Sequence, residues 1–250
     1  MRPVRRVADR LLDFLLRVSN MNFGGAPFRD REEAGRRLAE RLARYQGENP
    51  VIFALPRGGV PVGYEVARAL KAPLEVFIAR KLGAPNQPEL GIGAVAQDGS
   101  RVLNQSIVET IGVSKEYIEQ VAAEETREAE RRLKLLRGER PEPEVRQRTV
   151  ILVDDGIATG VTTRAAIEAL RRRDPRRLVL AVPVCAAHTA ESLRGEVDKL
   201  ICLEAPSDLM AISIWYRHFE QTSDEEVSEL LKHARREQEE GGANSPEGRM

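Results

Sequence analysis

Thr149–Thr163 reads TVILVDDGIATGVTT. Thr149–Val153 is a short apolar run rich in β-branched residues, the composition of a buried strand. Two carboxylates, Asp154 and Asp155, follow without a spacer, and Gly156-Ile157-Ala158-Thr159-Gly160 forms a small-residue loop. Val161–Arg173 then predicts a helix, with Ala165, Ala166, Ala169 and Leu170 at the spacing of one inward face.

Strand, acidic pair, small loop and helix outline a site for a phosphate and a sugar. Glycines let backbone N–H groups converge on an anion with no Cβ in the way. The start of the helix adds unpaired N–H groups and the positive end of its dipole. Thr159, Thr162 and Thr163 add hydroxyl donors. Carboxylates beside a phosphate cradle would repel the phosphate, so they should face sugar hydroxyls, because an ionised Asp only accepts hydrogen bonds.

The same device recurs upstream. Val51–Leu55 is an apolar strand that runs into Pro56-Arg57-Gly58-Gly59, after which Val60–Leu70 resumes as a helix. Here the loop carries a cation instead of acids, which suits a second anion. Leu74–Ala79 predicts a third strand ending in Arg80-Lys81. Gly83–Gly99, rich in Gly, Pro, Asn and Gln with strand-like pieces at Ile92–Ala96 and Arg101–Leu103, reads either as a mobile lid or as a long β-hairpin.

Asp30–Tyr45 predicts a helix with Asp30 as N-cap and Glu33 completing a capping box. Ser114–Arg137 predicts a long helix with a solvated Glu/Arg face. Leu178–Val184 and Lys199–Leu203 are further strands, with Pro183 marking an end or a bulge, and His188–Arg194 a short helix. Trp215, Tyr216 and Phe219 cluster before a last helix capped at Ser223 and running through Ala234. These aromatics could stack on a base or fill a local core. Strands alternating with helices predict an α/β, doubly wound parallel sheet, in which ligands bind beyond the carboxyl ends of the strands. Pro56–Gly59, Arg80-Lys81, Asp154–Gly160 and Cys185–Ala187 all follow strands, so they should meet at that edge.

Composition narrows the classes. The 250 residues carry 39 basic and 39 acidic side chains, a balance that gives no case for nucleic-acid or membrane binding. No apolar run is long enough to span a bilayer. Cys185 and Cys202 lack metal-ligand spacing and read as reduced core thiols of a cytoplasmic protein. Residues 1–27 stand apart as an amphipathic, Arg-rich helix and linker, with Met21 an alternative start. Residues 237–250 are polar and are expected to be disordered.

Apolar strand, two acids and a small-residue loop with Thr-Gly and a following Thr resemble the phosphoribosyl-pyrophosphate (PRPP) motif of the type I phosphoribosyltransferases. The likeness covers the order of elements over residues 28–236. It implies that Gly156, Ile157, Ala158, Thr159, Gly160, Thr162 and Thr163 hold the 5′-phosphate. Asp154 and Asp155 would hold the ribose hydroxyls. Pro56, Arg57, Gly58, Gly59, Arg80 and Lys81 would hold pyrophosphate with Mg²⁺, which is bound through PRPP and water near the acidic pair. It further implies a cis peptide at Pro56–Arg57, Gly83–Gly99 as the flexible catalytic loop with Glu89 in an acid–base role, and a homodimer. Residues 28–48 and 205–236 would form a small hood, with Trp215, Tyr216 and Phe219 near a nucleobase. The 6-oxopurine members place a lysine near the position of Val184-Cys185, and none stands here. Two functions follow: transfer of the phosphoribosyl group to a nitrogenous base with release of pyrophosphate, or regulatory sensing of PRPP or a nucleotide without turnover.

Overall fold

The computed structural model describes residues 27–138 and 140–243. The expected helix and linker over residues 1–26, the Met21 start and the tail beyond residue 243 lie outside the described residues.

Five parallel strands form the central sheet: β1 (Val51–Ala54), β2 (Leu74–Val76), β6 (Thr149–Val153), β7 (Arg177–Val184) and β8 (Lys199–Glu204), in the order β2-β1-β6-β7-β8. Alternate residues of these strands enter two different cores. Ile52, Ala54, Ile151 and Val153 pack with Leu38, Val62, Val66 and Leu231 on one face. Val51, Phe53, Val150 and Leu152 pack with Ala166, Ala169 and Leu170 on the other. Both faces are therefore covered, which explains why the strands read as unbroken apolar runs. Each fully buried Val, Leu or Ile contributes about 1.5–3 kcal/mol of transfer free energy.

The helices that cover these faces carry the predicted signals. Asp30 caps α1 (Arg31–Leu42) by accepting from the Glu33 amide at 2.7 Å, and Glu33 reaches back to the Arg29 amide at 3.1 Å. A 3₁₀ segment, Ala43–Glu48, continues it. α2 (Gly59–Leu70) follows β1. α4 (Lys115–Arg137) is capped by Ser114, and α5 (Val161–Arg171) follows β6. α6 is Ala187–Leu193 and α7 is Asp224–Ala243.

The remaining strands differ from the sequence reading. The expected strand Leu74–Ala79 is two strands of different sheets. β2 stops at Val76, opposite the end of β1, and the chain re-enters an antiparallel sheet at β3 (Ala79–Ala84). Arg80 and Lys81 consequently lie inside a strand rather than in a loop beyond one. β4 (Gln87–Ala96) and β5 (Arg101–Leu103) complete this sheet in the order β3-β4-β5, so Gly83–Gly99 takes the hairpin form. Asn86 supplies the left-handed turn at φ 58°. A helix that the reading did not anticipate, α3 (Gln105–Ile111), sits between Asn104 and Gly112. Pro183 lies inside β7 instead of ending it; Val184 O turns to Ile157 N on the β6 side, so Pro183 faces β8, where no pair falls between Val182–Cys202 and Val184–Glu204. The last helix runs to Ala243, past Ala234 and through residues 237–243, expected to be disordered, because its polar residues continue the helix into solvent.

Candidate active site

The chain winds outward from the middle of the sheet. From β1 it proceeds through α2 to β2 on one side; from β6 it proceeds through α5 and α6 to β7 and β8 on the other. The crevice between the carboxyl ends of β1 and β6 is the switch point of this topology, where doubly wound sheets bind ligands. The Pro56–Gly59 and Asp154–Gly160 loops open there, side by side.

They touch. A β-carbon placed on Gly59 would lie 3.0 Å from Asp154 Cα, and one on Gly58 would meet the Asp155 carboxylate, 2.5 Å from Cγ. The Pro56–Arg57 peptide is cis. Among the described residues, no acceptor takes the N–H of Arg57 or Gly58, while those of Gly59 and Val60 turn back to Leu55 and Arg57 carbonyls.

The second loop is tied down by its carbonyls. Ile157 exchanges hydrogen bonds with the strand after β6: its N–H donates to Val184 O, and its carbonyl accepts from Ala186 N, both at 2.9 Å. Thr189 Oγ1 donates to Ala158 O at 2.6 Å, and Arg164 Nη1 donates to Thr159 O at 3.2 Å. Among the described residues, no acceptor takes the N–H of Ala158, Thr159, Gly160, Val161 or Thr162. A loop whose carbonyls are used and whose amides are open is an anion cradle. Gly160 adopts φ 71° at the entry to α5, and a side chain there would also press on Thr189 Cγ2 at 2.9 Å. A side chain at Gly156 would meet Ile212 Cγ2 at 2.5 Å.

Asp154 and Asp155 differ in setting. Asp155 N donates to Asp154 Oδ1 at 2.8 Å. Burial, and then the charge of Asp155, hold the Asp154 carboxyl well above the ordinary carboxylate range, against a smaller opposing effect of Arg31. Asp155 forms an ion pair with Arg31, Nε to Oδ2 at 2.8 Å.

A hood closes over the pair. Phe28 N donates to Trp215 O at 3.2 Å, Arg217 N to Phe28 O at 3.0 Å, and His218 N to Arg29 O at 2.9 Å, so the start of the hood is stitched to its end. Tyr216 is 5% exposed, lies between Phe28 and Phe219 at 5.4 and 5.0 Å, and donates its hydroxyl to Asp155 O at 2.6 Å. Burial drives its phenol far upward. Tyr216 is thus part of the hood core; Phe219 lies under the Arg31 guanidinium, 3.8 Å from the ring centroid.

The cations expected at the pyrophosphate end each face a carboxylate. Arg57 Nη1 is 4.0 Å from Asp224, which also takes Arg132 at 2.9 Å. Arg80 pairs with Glu125 of α4. Lys81 donates to Glu89 O at 2.9 Å and lies 3.5 Å from its otherwise exposed carboxylate. Among the described residues, no hydrogen bond or ion pair joins Arg80, Lys81 or Glu89 to the acidic pair. Cys185 and Cys202 are free thiols pushed by burial up to about 12 and about 11, which suits inert packing residues.

Arg31, Thr189, Arg164, Ile212, Glu125 and Asp224 were not singled out by the sequence reading. Arg31 stands 124 positions from Asp155, and only the tertiary fold brings them together.

A parallel sheet thus carries two loops with open amides and an acidic pair at its switch point. Residues 28–213 match the family model described as a phosphoribosyl transferase domain. The chain belongs to the phosphoribosyl transferase family. It is 43% identical over 216 residues to a protein of Mycobacterium tuberculosis provisionally named a phosphoribosyl transferase; the match covers 86% of this chain and 49% of that one. The chain thus spans about half the length of the curated relatives it matches. A crystal structure from Thermus thermophilus superposes with a TM-score of 0.71 at 39% identity, covering 82% of this chain and 98% of that one. Among the described residues no helix is long and apolar enough to cross a membrane.

Proposed function

We propose that this chain transfers the 5-phosphoribosyl group of PRPP to a nitrogenous base, or runs the reverse reaction, with release of pyrophosphate and dependence on Mg²⁺. The supporting observation is the direct contact between the Pro56–Gly59 loop and the Asp154–Asp155 pair, with the open amides of the Ala158–Thr162 loop alongside. One ligand with phosphate at one end, pyrophosphate at the other and hydroxyls between satisfies both cradles and the acids.

Breaking the bond between C1 and pyrophosphate builds positive charge on the ribose ring and negative charge on the leaving group. The acidic pair opposes the first charge electrostatically. Asp154 and Asp155 accept hydrogen bonds from the sugar hydroxyls. Arg57, Arg80, Lys81 and the amides of Arg57 and Gly58 oppose the second charge, and the Ala158–Thr162 amides with the Thr159 and Thr162 hydroxyls anchor the 5′-phosphate, while Thr163 is buried in the helix packing. In this reading Phe219 and Trp215 flank a planar base, and Glu89, exposed on the hairpin, moves a proton to or from it.

No group of three or more His, Cys, Asp or Glu able to hold a metal ion occurs among the described residues. The donors at the crevice are two carboxylates, which with phosphate oxygens and water suit a hard divalent ion brought in with the substrate. Mg²⁺ brought in with PRPP would be held near Asp154 and Asp155 and would supply charge neutralisation to the leaving group.

The test is to incubate the protein with Mg²⁺, PRPP and a panel of purine and pyrimidine bases and to measure pyrophosphate. Release that depends on one base supports transfer and names the acceptor. PRPP binding without release for any base would overturn transfer in favour of sensing.

A further inference from the structure

Arg31 is the one cation among the described residues that forms an ion pair with either acid of the pair. Its guanidinium is used on three sides. Nε is 2.8 Å from Asp155 Oδ2, Nη1 donates to Glu220 O at 2.8 Å, and the planar face lies 3.8 Å from the Phe219 centroid. The side chains of Arg31 and Asp155 are only 12% and 15% exposed. This is unlike a solvated surface pair, whose geometry is loose and whose contribution is small. A guanidinium that is stacked and forked has one orientation available.

Asp155 is correspondingly fixed at each of its polar groups. Its amide is on Asp154 Oδ1, its carbonyl accepts from the Tyr216 hydroxyl, and its carboxylate is on Arg31. Gly58 lies against Oδ2 of that carboxylate. The hood thereby dictates where the carboxylate points, from a residue that need not touch a ligand itself.

We propose that Arg31 is a positioning residue that sets selectivity for a hydroxylated pentose phosphate over a deoxygenated one, by fixing the Asp155 carboxylate as the hydroxyl acceptor. This rests on the reading of the acidic pair as the sugar-hydroxyl site. Loss of Arg31 acts through Asp155, so it weakens ligands that carry ring hydroxyls and spares a ligand that offers only the ring and the phosphate.

The experiment is calorimetric titration of ribose 5-phosphate and of tetrahydrofurfuryl phosphate, the same ring and phosphate without ring hydroxyls. The proteins are wild type, Arg31→Ala, Arg31→Lys, Asp155→Asn and the Arg31→Ala/Asp155→Asn double variant, each checked for native circular dichroism. Wild type is expected to prefer ribose 5-phosphate about 10-fold or more, the discrimination of a charged hydrogen bond. Arg31→Ala should lose most of that preference with tetrahydrofurfuryl phosphate affinity unchanged, Arg31→Lys should keep most of it, and Arg31→Ala should add nothing in the Asp155→Asn background. Equal weakening of both ligands, an intact preference in Arg31→Ala, or additive effects would overturn the proposal. If Arg31→Ala does not fold, Arg31→Gln takes its place: a preference lost in Arg31→Gln as fully as in Asp155→Asn supports the proposal, and one kept in Arg31→Gln or in Asp155→Asn overturns it. Absence of any preference in wild type would instead remove the sugar reading of the pair, and the role of Arg31 with it.

Discussion

Gly58 lies directly against the carboxylate of Asp155, so the loop after β1 and the loop after β6 share one wall of the crevice. The glycine is needed for space and not for conformation. Its φ of −61° is open to any residue, but a β-carbon would sit 2.5 Å from Asp155 Cγ. The carboxylate cannot swing aside cheaply, because Arg31 holds it at 2.8 Å.

Gly58→Ala should therefore displace either the loop or the carboxylate. The expected cost is about 1–3 kcal/mol of stability, in the range of overpacking a tight interior. Ribose 5-phosphate affinity should fall by about 10-fold or more, because the hydroxyl acceptor is moved. Chemical denaturation and calorimetry read the two effects. An alanine variant with wild-type stability and affinity would show that the two loops do not share this wall.

Asp154 gives the protein a pH signature. Burial and the neighbouring charge of Asp155 raise its folded-state pKa above the value in the unfolded chain, near 3.8. The folded form then binds more protons than the unfolded form, so this group's stability is fully present below about pH 4 and is lost as pH rises through the folded value. Asp154→Asn removes that dependence. Urea midpoints measured from pH 4 to pH 8 should show the wild type losing ground to the variant as pH rises; contributions of Glu65 and Glu75, also raised by burial, are common to both proteins and cancel in the difference. A difference that stays constant or moves the other way would mean that Asp154 is not a buried, destabilised carboxylate.

Much of this architecture was legible because its signals are local. The run Thr149–Thr163 announces strand, acids, loop and helix within one stretch, and β6 and α5 fall where it places them. Asp30 and Ser114 cap their helices as their spacing requires. Asn104 and Gly112 are an equally local pair of caps around α3; Asn104 accepts from Ile107 N at 3.2 Å, and the signal was present but unread. The split between β2 and β3 left no local mark, since an apolar run does not show where it changes sheets. Arg31 was hidden for a different reason. On sequence it is one more arginine in a chain with 39 basic residues, and its role comes from Asp155, Phe219 and Glu220, all distant in the chain. The same holds for Glu125, which reads as a solvated charge, and for Asp224, which reads as part of a helix cap; they lie on Arg80 and Arg57.

The central claim, that the acidic pair and the adjoining loop grip one phosphorylated pentose, is tested most directly by calorimetric titration of Mg²⁺–PRPP into wild type and into the Asp154→Asn/Asp155→Asn variant. The expected result is one site per chain in the wild type, weakened by about 100-fold or more in a variant whose circular dichroism is unchanged, since two charge-assisted contacts are lost. A folded variant that binds Mg²⁺–PRPP as tightly as the wild type would contradict the claim.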